Sequence, residues 1–515
     1  MSREAQPPNL IYRDLYIFFF FCKFTTNKKD MLNIQSQLQF SDHRSLYDIL
    51  IPANSKFRQL NELIDFSLIR NELVKNYSKD IGRKAVDPII LFKYLLLKTM
   101  NPASDRDLVA RSYTDMSYKY FLGLNPEDDV IDPSLLTVFR RQRMKDIDLM
   151  DLLIRSTIDK AKALGLLSSK KIIIDSTHTL SVFKRYTPSE AISRRSHDLL
   201  ATIKESGINR ELYTKLPMVP VSKESNMMVE YAQSLLTNIT DMGIAITTGI
   251  QEKMNYLQEA LDDIAVRAMV CKDTDVRYGH KSTNKPFTGY KIHISETENG
   301  FITAATVTSG EKGDGAILPL LIKKTEENGL DDIEKVIADT AYCTKENIET
   351  CDAKEIKLVA PLHPSVNGFR DENDGFIYNK DAQSVTCPAG ELAVKKSFKK
   401  ANPKKKNNAR YDFYFDVEKC KQCPLKDGCY KEGAKHKTYS IRTLSEEHQR
   451  QKEFQTTPEF KRDIRIRNRI EGKNSELKNR HGMRTAISFG LNSMEIQTAV
   501  ALFYVNLKRM MKLMS

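Results

Sequence analysis

The hydrophobic pattern of the chain changes three times, and its order sets out the architecture. Over residues 31–150 apolar residues recur at helical spacing. Pro88–Met100, PIILFKYLLLKTM, predicts a strongly apolar helix, with Asp87 to cap it and Pro88 at its first position. Ser104–Ser112 repeats the scheme, with Ser104 as N-cap and Asp105 and Asp107 in the first turn. Ser117–Leu122 then leads through the loop Asn125–Asp132 to a helix over Pro133–Met144. The early half of that helix is apolar, and its later half carries Arg140, Arg141 and Arg143. A short helix, a turn and a second helix with exposed arginines predict a helix-turn-helix-like DNA-binding unit. A helical bundle with a basic edge gives the same pattern.

After a helix over Ile147–Leu164 the period shortens. Lys171–Asp175, KIIID, reads as a buried strand with a carboxylate at its C-terminal end, where α/β proteins place functional groups. Residues 186–270 return to helical spacing (Ser189–Ser206, Lys223–Thr237 and Gln251–Met269) and predict a helical insertion. Gly289–Ser295 and Phe301–Thr308 alternate and form a hairpin across Glu296–Gly300. Gly313–Lys324 reads as a helix with Asp314 in its first turn. Lys335–Asp339, KVIAD, repeats the strand-then-aspartate pattern. A short helix, Thr344–Cys351, and a strand, Ile356–Leu362, follow.

Residues 365–440 are polar and include a basic loop, Lys399–Arg410. Cys387 precedes that loop, and Cys420, Cys423 and Cys429 follow it as C-x2-C-P-x4-C. Four thiolates suit a closed, structural zinc site; reduced, unligated cysteines are the alternative. The other cysteines are scattered among the eight, which is no disulfide framework and points to a reducing cytosol.

The last segment, Asp463–Arg480 (DIRIRNRIEGKNSELKNR), predicts a helix that Thr457 and Pro458 can start and Gly482 can end. Arg467, Glu471 and Lys478 fall on one face. Glu476 lies about 140° round the helix from Glu471. The bland reading is a solvated helix with i,i+4 ion pairs. A carboxylate between two cations also suits a metal ion beside a phosphate. Asn492–Met514 reads as a final amphipathic helix with a basic tail.

Charge narrows the partner. The chain has 515 residues and a net charge of +13, which favours a polyanion such as nucleic acid. No run approaches the ~20 apolar residues of a membrane span. Leu15–Cys22 is the nearest, and no small-residue cleavage site follows it. Residues 1–30 read as an upstream extension, with the working protein expected from Met31.

Two strand-end aspartates, Asp175 and Asp339, and a late helical glutamate, Glu471, fall in the element order of the RNase H-like fold. The expected class is an α/β core with a mixed sheet flanked by helices. An all-α N-terminal domain (31–150), a helical insertion (186–270) and a small cysteine-rich insertion (365–440) complete it. The core would then comprise 165–364 and 441–515. Three converging acids can hold two Mg²⁺ ions for displacement at phosphorus.

Here the residues carry a family resemblance. The intact R-x3-E-x6-K signature of Arg467, Glu471 and Lys478 resembles that of bacterial insertion-sequence DDE transposases, in particular the 1182-type group. KIIIDSTHTL and VIADTAYCTKENI resemble the family's two aspartate strands, although Ala341 stands where many members have glycine. FTGYKIHISETENGFITAATVTSGEKGD resembles its hairpin, and GRKAVDPIILFKYLLLKTM through IDPSLLTVFRRQR its helical N-terminal domain. The fuller signature has a tyrosine three residues before the arginine; here that residue is Ile464. The resemblance implies Asp175, Asp339 and Glu471 as Mg²⁺ or Mn²⁺ ligands, with Arg467 and Lys478 on DNA. It implies terminal inverted repeats and target DNA as substrates, a homodimer on DNA, and a cytoplasmic, nucleoid-associated protein. A nuclease without strand transfer, or a DNA-binding protein that has lost catalysis, are the competing readings.

Overall fold

The computed structural model describes residues 41–78, 85–145, 147–181, 185–220, 224–265, 270–282, 285–363, 374–379, 382–400, 409–442 and 445–515. The expectation for residues 1–30, and that for 401–408 of the basic loop, lie outside these. The chain forms two compact units, Met1–Lys98 with Ala103–Ile147, and Thr99–Pro102 with Asp148–Ser515.

The first unit is helical: Leu46–Leu50, Lys56–Leu63, Phe66–Val74, Pro88–Met100, Asp105–Thr114 and Met116–Leu122. Short polar side chains start the helices as expected. Ser55, Asp65, Ser104 and Asp115 each accept a hydrogen bond from a first-turn backbone N–H. Phe57 packs its ring on Tyr118 and Phe121 in the core. Two sequence expectations are corrected here. Residues 123–133 separate Met116–Leu122 from the next helix, Ser134–Val138, far more than the about three to four residues of a helix-turn-helix turn. The bundle with a basic edge is the better description. Nor are all three arginines exposed. Phe139–Arg143 winds as a π-helix. The two Arg140 Nη atoms grip Asp105 at 3.2 and 2.5 Å, and Arg143 donates to the Asn76 carbonyl at 2.6 Å and stacks on Tyr77. Arg141 alone of the three is exposed. The widened π turn spreads the three side chains in directions that an α-helical reading does not anticipate.

The second unit is built on six strands: β1 (Lys171–Leu180), β2 (Arg277–Ser282), β3 (Lys285–Thr297), β4 (Ile302–Ser309), β5 (Lys335–Ile337) and β6 (Lys357–Val359). β3 is the long central ribbon. It pairs antiparallel with β1 on one side, and with β2 and β4 on the other. β5 then joins β1, and β6 joins β5, both in parallel. β1 runs on to Leu180, past the expected end at Asp175, because β3 offers backbone partners from Thr297 back to Gly289.

One sheet face buries Ile172, Ile174, Val336 and Leu358 beneath Leu318–Glu327 and Lys345–Ala353. The final helix, Leu491–Met514, packs on Leu149–Ala163 and on β4. There Asn506 behaves as a strand residue would: its side chain accepts from Ile302 N and donates to Ile302 O, both at 2.8 Å.

Pro188–Glu205, Ser225–Asp241 and Thr248–Ala265 pack around their own core of Leu199, Ile203, Leu235 and Leu257. A two-stranded clip, Arg185–Tyr186 with Val270–Cys271, closes this bundle at its base. A three-stranded sheet, Lys395–Lys399, Arg410–Phe415 and Lys437–Arg442, has a further core of Val385, Phe413 and Phe415. Among the described residues no helix is long and apolar enough to cross a membrane.

Candidate active site

Register places the two aspartates. β1 and β5 pair Lys171 with Lys335 and Ile173 with Ile337. Asp175 stands two residues further along β1 and Asp339 two residues past the end of β5, and both line the same cleft. Beyond Ile173 the neighbour on this side of β1 changes. The Thr179 hydroxyl donates to Met483 O at 2.8 Å, Leu180 N to Arg484 O at 3.0 Å, and Ala486 N to Leu180 O at 2.9 Å. Between β5 and this returning segment, Ile174–His178 faces a gap. A cleft of about 720 Å³ opens there, lined by Asp175, His178, Asp314, Asp339, Glu471, Asn474 and Lys478 among others.

The helix that brings Glu471 is made in three pieces. Thr457 caps Pro458–Asp463, a 3-10 turn spans Ile464–Arg467, and Asn468–Arg480 is α-helical. Its start is anchored under the sheet. Asp463 is wholly covered and accepts from Lys171 at 3.1 Å and Lys335 at 2.7 Å. Burial opposes its charge, and those two hydrogen bonds hold its carboxyl below the usual range nonetheless. Glu471 is exposed and accepts from Arg467 at 2.8 Å. Glu476, on the other side, meets Lys508 at 2.6 Å, His481 at 3.6 Å and Lys473 at 3.7 Å. Glu471 thus lines the cleft, and Glu476 is engaged elsewhere.

Asp175 and Asp339 resist ionisation. Burial is the main cause and mutual repulsion adds to it. The carboxyl of Asp175 is pushed up to about 6, with Asp339 and Asp314 contributing. Asp339 is raised by burial and by Asp314, although its side chain accepts from Ala341 N at 2.9 Å. Asp314 is held by Lys291 at 2.9 Å and stands 3.9 Å from His293, whose pKa burial lowers to about 4.

Asn474 donates to Asp175 at 3.1 Å, while its own carbonyl oxygen is buried without a partner. Lys478 Nζ lies 3.3 Å from His178 Nδ1. Burial, with Asp314, Asp175 and Asp339 nearby, raises the Tyr342 hydroxyl well above its usual range. An oxygen-rich, electrostatically frustrated pocket with an orphan carbonyl suits a hard divalent cation. Among the described residues, no three His, Cys, Asp or Glu side chains stand close enough to hold a metal without adjustment.

Sequence reasoning missed Asp314, Lys291 and Asn474. Asn474 was legible, being three residues past Glu471 on the same helix face. Asp314 and Lys291 become neighbours only through the hairpin. The four clustered cysteines, Cys387, Cys420, Cys423 and Cys429, line one small cavity of about 60 Å³ and are free thiols. Burial raises the Cys420 thiol, and the nearness of Cys429, Cys387 and Cys423 raises it further.

Comparison with protein families matches residues 45–142 to a family described as Transposase domain (DUF772), and residues 386–511 to one described as Transposase DDE domain. No curated protein matches the chain. The second match carries the Arg467–Glu471–Lys478 helix that lines the cleft. Two transposase domains matched in the order the sequence implied, on a chain whose acids line one cleft, support an insertion-sequence DDE transposase.

Proposed function

We propose that this transposase cuts and joins DNA at the cleft, with Asp175, Asp339 and Glu471 as the acids that would hold divalent cations. The observation that carries this reading is the single cleft that Asp175, Asp339 and Glu471 all line, beyond the paired ends of β1 and β5. The strand order β4-β3-β1-β5-β6, antiparallel then parallel, supports an RNase H-like core. Mg²⁺ or Mn²⁺, two ions in the arrangement expected, would supply Lewis-acid activation of the attacking hydroxyl and charge for the departing oxygen.

The chain's own residues orient the DNA. Arg467 offers a forked donor and Lys478 a point charge toward phosphate oxygens, while Asn474 fixes the Asp175 carboxylate. Arg141, the exposed one of Arg140, Arg141 and Arg143, would add a phosphate contact; Arg140 and Arg143 keep Asp105 and Asn76 in place. The substrates on this reading are the element's terminal inverted repeats and a target duplex, handled by a homodimer so that two ends meet. Cys387, Cys420, Cys423 and Cys429 would hold a structural zinc, given their shared cavity. Metal analysis of the purified protein tests that; a zinc-free protein that keeps its thermal stability in chelator rules it out.

The decisive assay uses a duplex carrying an end of the element. Cleavage followed by joining to a second duplex is expected with Mg²⁺. Cleavage without joining favours the nuclease reading, and Asp339→Asn with undiminished cleavage removes the site assignment.

A further inference from the structure

The Asn468–Arg480 helix has a second, open cavity on its other side, about 610 Å³, lined also by the final helix. Among its described lining residues are five cations, Lys473, Arg480, Lys508, Arg509 and Lys512, against one carboxylate, Glu476. Glu476 is already engaged by Lys508 and Lys473, so the cavity keeps a clear positive excess. Arg480 and Lys512 are exposed at its mouth.

Two further observations say what this cavity meets. Ser475 and Asn479 line both this cavity and the acidic cleft. They stand one turn apart, are exposed, and are joined by an Asn479 Nδ2 to Ser475 Oγ hydrogen bond of 3.0 Å. Short polar side chains therefore form a low saddle between the two. The second observation is Gly472. It lies inside the helix and lines the basic cavity, yet a Cβ there would meet nothing within 4 Å. Neither packing nor backbone conformation requires glycine, which weakens a helix. A bare helix backbone at the lip of a cationic cavity is suited to close approach by another backbone.

We infer that the basic cavity is a second DNA-backbone site, and that one DNA strand runs from the acidic cleft over the Ser475–Asn479 saddle to lay its phosphates against Arg480, Lys508, Arg509 and Lys512. Gly472 is the point at which that strand passes closest to the helix. The inference rests on the proposed reading of the cleft as the cleavage site. Each phosphate neutralised by a cation releases condensed counterions, so the cavity contributes to the salt dependence of binding.

The test uses the full chain and a short labelled DNA duplex of arbitrary sequence, titrated over a range of salt. Replacing both Arg480 and Lys512 by alanine is expected to weaken binding at least about ten-fold at low salt and to reduce the log–log salt slope by roughly two. Lys354→Ala, at a lysine paired with Glu326 outside both cavities, serves as the charge control and should leave the slope unaltered. Gly472→Ala separates function from folding: it is expected to raise the melting temperature while weakening binding several-fold. An unchanged slope in the double variant, or a Gly472→Ala protein that binds as tightly as the parent, would overturn the inference. Asp339→Asn, assayed for cleavage alongside, distinguishes the two levels. If it abolishes cleavage while the double variant binds normally, the cleft reading stands and the second site falls. If the parent binds no DNA, the reading of the cleft fails with it.

Discussion

β1 and β5 lie side by side in register, and their two ends carry opposite charges. At the N-terminal end, Lys171 and Lys335 are paired across the strands and close on Asp463 at 3.1 and 2.7 Å, with Glu459 also held by Lys335. Every charge there has a partner. Four residues on from these lysines, Asp175 and Asp339 line one cleft, with no lysine or arginine hydrogen-bonded to either among the described contacts. The carboxyl of Asp463 is held down and those of Asp175 and Asp339 are pushed up. The same two strands thus make a finished ion cluster at one end and an unfinished one at the other. Stability comes from neutralising charge at once, whereas a cation-binding site must leave charge unneutralised until its ligand arrives.

The comparison can be broken by experiment. The largest effect is expected from Asp339→Asn: cleavage falls by a factor of about a thousand or more, with thermal stability unchanged or slightly raised because a repelled carboxylate is gone. A marked loss of stability would mean that the acidic end is structural after all. Asp463→Ala is the mirror experiment. It strands two partly buried lysines and is expected to cost about 3 kcal/mol in denaturant unfolding. A change under about 0.5 kcal/mol would reduce the cluster to a surface ion pair.

Glu296 is the intermediate case. It lies on β3 opposite Ile173, almost fully covered, with one carboxylate oxygen unpartnered. Burial pushes its carboxyl up to about 7, against the opposing pull of Lys473, Arg469 and Arg509. The folded-state value exceeds the unfolded one, so the protein loses stability as pH rises from the ordinary glutamate range through about 7. Glu296→Gln is therefore expected to stabilise the protein by on the order of 2 kcal/mol at pH 8 and by almost nothing at pH 4. Parallel melting curves for the two proteins across that range would contradict this. The smallest effect is that of Gly472→Ala on the free protein, a gain of about 1 kcal/mol, read from the denaturation midpoint.

Part of this arrangement was legible in the sequence. A short apolar run ending in aspartate marks both strand ends, and the 100° step of a helix separates Glu471 from Glu476. What was not legible depended on neighbours distant in sequence. Asp463 reads as one more charge in a crowded helix until β1 and β5 bring two lysines to it. Arg140 and Arg143 read as exposed until Asp105 and the Asn76 carbonyl claim them. β1 looked finished at Asp175 because its polar continuation, Ser176–Leu180, is held by backbone pairing to β3, which no side-chain pattern records.

The hydrogen bond from Asn474 to Asp175 joins residues far apart in the chain. At about 5–20 residues per second, synthesis of the intervening segment takes on the order of 15–60 s. During that interval the helical insertion has its own core to fold around, whereas β1 waits for the partners that complete its far edge. A chain still on the ribosome, or one interrupted before Glu471, holds both strand-end aspartates but lacks the helix that faces them. On the proposed reading of the cleft, its third acid is made last, so the three acids cannot come together until nearly the whole chain has been synthesised.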